Sequence, residues 1–195
     1  MFRAFAEALP TVSGHGGLAV NMPPMERRPN EASEYFYARR FGPGIDVGDP
    51  MRSNVRKLYT KIKTVDWLNA LDAELVRAVG GTSSLALPPN WFARQPLRDG
   101  GLIIQAGVAP MSGVSNGTGI PVAPPAAYVL LNHALRQIVA DTLDTLQDGT
   151  LDSTAPLLNT VVATEAWLRR FNVPDDQING YWVELHKTPK LSPST

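Results

Sequence analysis

Residues 113–117 read Gly-Val-Ser-Asn-Gly, the G-x-S-x-G pattern that holds a nucleophilic serine on a sharp strand-to-helix turn in the α/β-hydrolases. That chemistry would make Ser115 the nucleophile and require a histidine base and an oxyanion-binding helix N-terminus. The neighbourhood supplies neither. The nearest apolar run, GLIIQAG at 101–107, ends well before the serine, and Pro121, Pro124 and Pro125 forbid a helix directly after it. Only His15, His133 and His186 are present; His133 falls inside a predicted helix and His186 in a polar tail. With 16 glycines in the chain, a loop that matches by chance is the simpler account.

Three aspartates, Asp46, Asp49 and Asp66, raise a second chemistry, a carboxylate site for a divalent cation. Such sites want converging oxygens at spacings like D-x-D-x-D-G. The stretch DVGDP at 46–50 lacks that density, so aspartates that stabilise turns beside Gly48 and Pro50 are the better reading. The glycine-rich stretch GVSNGTG lacks the Lys-Ser/Thr of a P-loop, and no G-x-G-x-x-G fingerprint follows a strand. Trp67, Trp91, Trp167 and Trp182 have the rings to stack on bases, but core packing accounts for them more simply. His133 has no metal-ligand partner at i+4 and reads as a helix-surface or satisfied core histidine. No catalytic residue, metal ligand or cofactor is therefore expected.

Composition narrows the classes further. The 195 residues are 44% hydrophobic, enough for one well-buried domain. Eighteen basic side chains balance eighteen acidic ones, so bulk charge draws the chain to neither nucleic acid nor an anionic membrane. The absence of cysteine removes disulfides and thiolate chemistry together. The start MFRAFAEALP shows no signal-peptide pattern, and no apolar run reaches membrane-spanning length. A soluble, cytoplasmic protein is expected.

The elements that must position any site follow from pattern. A short helix is predicted over FRAFAEAL, ending at Pro10, and a strand over 17–22. Asn30 reads as the cap of a helix running to Arg39 and Arg40, stopped by Gly42-Pro43-Gly44. The strongest helical pattern covers 64–79: Thr64 as cap, Trp67 or Leu68, Leu71, Leu75 and Val79 along one face, Gly80 as the left-handed stop. A hairpin is predicted with Asp99-Gly100 at its turn, residues 102–105 as inner strand and Pro96 marking an edge arm. A second long helix is predicted over 124–147, with Leu131, Leu135, Ile138 and Leu146 buried. A third buries Val161, Leu168 and Phe171. Further strands are sought in IDV and YWVELH. The strands do not alternate with helices as βαβ units. The expectation is thus a single α+β domain, helices on a small, mostly antiparallel sheet.

The blocks YFYARRFGPGIDVGDP, IKTVDWLNALDAELVRAVGG, GGLIIQAGVAPMSGVSNG, PAAYVLLNHALR and EAWLRRF occur in that order. In that order and spacing the chain resembles the type VI secretion immunity proteins, over roughly residues 14–171. The resemblance implies a cytoplasmic, non-catalytic α+β protein that binds and neutralises a cognate toxin, a DNase of the restriction-endonuclease-like VRR class. It places an immunity-type domain over 1–175, possibly short of N-terminal strands of the family, and an extension over 176–195. No direct contact with nucleic acid or membrane is implied.

Two sets of residues are then candidates for the toxin. GVSNG replaces an Asp-containing loop of the family, which makes Ser115 and Asn116 candidate partner contacts. Asp141, Asp144 and Asp148 fall at i, i+3 and i+7 on the predicted 124–147 helix and just beyond it, so they are expected on one face. A nuclease holds a basic groove for phosphates, and a row of carboxylates can occupy it. The plainer alternative for that row is a solvated face.

Overall fold

Leu102–Ala106 (β4) is the centre of the sheet. Its side chains alternate, so that Leu102, Ile104 and Ala106 enter the main core while Ile103 faces a smaller cluster on the other side. It pairs antiparallel with Phe92–Pro96 (β3), and Gly100, at φ 88°, turns the chain between them as the Asp-Gly pair predicts. Pro96 sits on the outer strand, where its missing N–H breaks no ladder. On the other side β4 pairs with Leu68–Leu71 (β2), and β2 with Ser13–Gly16 (β1), giving the antiparallel order β1-β2-β4-β3. The computed structural model describes residues 1–9, 12–19, 42–46, 60–113, 123–143 and 161–192.

Helices cover both faces of this sheet unequally. Phe2–Ala8 (α1) lays Phe2 and Ala6 on the small cluster of Ala70, Leu97 and Ile103. On the main face, Ala126–Leu135 (α3) buries Tyr128, Val129, Leu131 and Leu135 completely or nearly so. Val161–Leu168 (α4) adds Trp167 and Leu168, and Phe171 follows it into the interior. Ile178–His186 (α5) packs on α3 and contributes Ile178 and Leu185 to the core, although the sequence reads it as an extension with a strand. The arrangement is α+β, as expected.

Several expectations give way to tertiary contacts. The predicted 64–79 helix is a strand followed by a helix: β2, then Ala73–Ala78 (α2). Asp72, not Thr64, is the cap, its carboxylate accepting the Leu75 N–H at 2.7 Å. Gly80 and Gly81, both at positive φ, end α2 as expected, with Gly81 N–H donating to Val76 O. The predicted 124–147 helix stops at Leu135, because the backbone of 138–140 turns to pair with Ile62: Ile62 N–H donates to Ile138 O at 2.7 Å and Ala140 N–H to Ile62 O at 2.9 Å. Ile138 is buried all the same, by that pairing.

Upstream of the strand expected over 17–22 the chain forms β1, and among the described residues of that run Ala19 bridges to Asp46. Val161 stands exposed at the start of α4, while Leu168 and Phe171 are buried as predicted. The helix expected after Asn30 and the predicted buried Leu146 lie outside the described residues.

Candidate functional site

Several described segments meet at one end of the sheet. Asp46 N–H donates to Leu18 O at 2.8 Å, and Gly44 N–H to Ser112 O at 2.9 Å. Gly44 is required there, since a Cβ would stand 2.0 Å from Met111 O. These contacts tie the end of β1, the 42–46 segment and the loop leaving β4 into one rim.

Beneath that rim lies a cluster of buried polar groups. Lys63 Nζ stands 2.8 Å from Asp46 Oδ1, and its side chain is almost wholly shielded. His15 Nε2, projecting from β1, meets Asp46 Oδ2 at 2.7 Å. Asp66 is buried just before β2 and accepts the Trp67 N–H at 2.6 Å. Asn69 locks this turn, accepting from the Asp66 N–H and donating back to Asp66 O. From the far side, Arg170 lays its guanidinium over Trp167 at 3.6 Å and near Phe171 at 4.1 Å, with Nε donating to Pro43 O at 2.6 Å.

The environment sets each group's proton affinity differently. Burial pushes the Asp46 carboxyl up, but the His15 hydrogen bond and the Lys63 charge outweigh it and hold it down at about 2. Burial dominates at Asp66, against the Trp67 N–H, and raises it to about 6. Burial lowers Arg170 to about 9 despite the nearby carboxylates, and raises the Tyr128 phenol. Tyr128 accepts the Met111 N–H at 3.1 Å and packs edge-on to Phe171, which links α3 to the rim.

The arrangement balances charge and fixes positions; His15, Lys63 and Arg170 are each committed to a partner. Among the described residues no group of three His, Cys, Asp or Glu side chains gathers to hold a metal ion. Above the cluster opens a mostly apolar cleft of about 550 Å³, lined by Leu18, Met111, Pro124, Pro125, Tyr181 and Lys187 among others.

The sequence candidates fall unevenly on this geometry. Asp46 and Asp66, weighed as turn aspartates, do come into one cluster, with Lys63 paired to Asp46. Asp49 lies outside the described residues. His133 is on the surface of α3 near Asp175, and His186 ends α5 with Nδ1 2.6 Å from Trp182 O. Asp141 is exposed in a bend beyond α3, so the helical face on which it was expected is not formed there. Ser115, Asn116, Asp144 and Asp148 lie outside the described residues. His15, Lys63 and Arg170 were not singled out from sequence. Lys63 carried one usable signal, its place between Ile62 and Val65 on the approach to β2.

Comparison with known proteins connects this architecture to a family. The family described as type VI immunity for VRR-NUC, TsiV, matches residues 1–171. The chain belongs to the TsiV family. The TsiV match takes in every residue of the buried cluster and ends at Phe171, whose ring packs against Tyr128. A solved structure titled "Pseudomonas aeruginosa T6SS protein PA0821" is 35% identical, with a TM-score of 0.85 over 98% of this chain. This chain spans 52% of that protein's length. That likeness extends past the TsiV match to take in α5. No curated protein matches the chain. Among the described residues no helix is long and apolar enough to cross a membrane.

Proposed function

We propose that this chain binds and neutralises a VRR-NUC nuclease toxin of a type VI secretion system, in the cytoplasm and without catalysis of its own. The observation that carries the reading is the TsiV match over residues 1–171. The buried cluster supports it: Asp46 is held by Lys63 and His15, and Arg170 by the Pro43 carbonyl, as suits a scaffold that presents a surface.

The partner surface we assign to the rim, with Ser115 and Asn116 carried on the connection from Gly113 to Ala123, and to the exposed Asp141 with Asp144 and Asp148. A nuclease groove is basic because it must hold phosphates, so carboxylates are its natural competitors. The test is survival of cells that express the cognate VRR-NUC toxin, with and without this chain. Survival only when this chain is present supports the reading; equal killing overturns it. Replacing Asp141, Asp144 and Asp148 together by asparagine should slow association with that toxin at low salt and flatten its salt dependence. Unchanged binding at every salt concentration moves the interface to Ser115 and Asn116.

A further inference from the structure

Two carboxylates share the buried cluster, and they are not equivalent. Asp46 takes both close partners, the Lys63 ammonium at 2.8 Å and the His15 ring at 2.7 Å. None of the ion pairs among the described residues ends on Asp66. Asp66 is 2% exposed, and its carboxylate presses on the backbone of Gly17, where a Cβ would come 1.8 Å from Oδ1. The groups facing it come from each described element packed there. They are His15 of β1, Asp46 of the 42–46 segment, Tyr128 of α3 and Arg170 beyond α4, with Lys63 on its own segment reaching Asp46.

We propose that this cluster is a proton-operated clasp: a proton on Asp66 tightens the junction of the 12–19, 42–46 and 167–171 segments, and its loss as pH rises loosens it. The physical cause is the cost of holding a buried anion beside a second carboxylate whose cations are already committed. The Trp67 N–H, His15 and Arg170 offset that cost in part, and so does the Tyr128 hydroxyl, which donates to the carboxylate, but burial prevails and the carboxyl rises from 3.8 to about 6. A group raised in the folded state binds its proton there at pH values where the unfolded chain has lost it. Its contribution to stability is therefore present below about 4, falls as pH climbs through 6, and is gone above that. This is opposite in sign to Asp46, whose lowered carboxyl stabilises the fold above about 4.

The clasp acts on the rim, because Gly17 sits between β1 and the Leu18–Asp46 hydrogen bond. It goes beyond the immunity reading and does not depend on it, since its test needs no toxin.

The experiment is urea unfolding of the full chain at pH 5 and pH 7.5, compared with Asp66→Asn and His15→Gln. From pH 5 to 7.5 the folding constant of the wild type should fall about tenfold more than that of Asp66→Asn. His15→Gln should keep the extra loss. Equal pH dependence in wild type and Asp66→Asn overturns the proposal, and so does its disappearance in His15→Gln. Carboxyl-carbon NMR of the wild type decides the matter if Asp66→Asn does not fold. An Asp66 midpoint near 6 supports the clasp, and one near 4 overturns it.

Discussion

The region beneath α3 and the cluster around Asp46 and Asp66 are both buried, yet opposite physics holds them. Beneath α3, Phe92, Ile104, Leu131 and Leu135 are shielded from water, and each buried carbon stabilises the fold with little demand on direction. In the cluster, each group costs desolvation and recovers it only at one distance from one partner. The apolar region thus sets how stable the domain is. The polar region sets where the rim's backbone stands, and makes that placement answer to pH.

The largest effect should come from the apolar region. Phe92→Ala removes a fully buried ring packed at the sheet edge and should cost about 3–5 kcal/mol in urea unfolding. A loss under about 1 kcal/mol would mean that the core there is not close-packed. Lys63→Met comes next, at about 3 kcal/mol, because it leaves Asp46 buried without the lysine charge that balances it. Here the two regions should part. Adding Asp46→Leu to Lys63→Met should recover much of the loss, since two apolar side chains need no partner. Costs that simply add would make the cluster behave like the core and break the distinction.

These two regions were not equally legible in the chain. The β3–β4 hairpin was, because its turn residues and its alternating strand are neighbours in sequence. Residues 64–71 were misread because Leu68, Leu71, Leu75 and Val79 satisfy a helical period, while the pairing of Leu68–Leu71 with Leu102–Gln105 is a long-range fact. Asp72 with Glu74 two residues on was the local sign that the helix starts later. Residues 136–140 failed for the same reason, their partner Ile62 lying far upstream. YWVELH alternates like a strand, yet Ile178 and Leu185 are two turns apart on one helical face that packs on α3. The cluster was hardest, since His15, Asp46, Arg170 and the pair Lys63 and Asp66 come from four separate stretches whose meeting is a long-range fact.

The smallest effect sharpens the comparison from a third position, a helix end. Asp72→Ala removes the hydrogen bond to the Leu75 N–H and should cost about 1 kcal/mol. Urea unfolding checks it, and a loss as large as that of Phe92→Ala would show that Asp72 carries more than its one hydrogen bond.

The central claim is that a TsiV-family chain of this fold neutralises a VRR-NUC nuclease by binding it. The most direct measurement is DNA cleavage by that purified nuclease, titrated with this chain at a fixed concentration of enzyme. The account predicts that cleavage falls in proportion to added chain and stops near one equivalent, while heat-denatured chain leaves it intact. Cleavage that continues at a large molar excess of folded chain would contradict it.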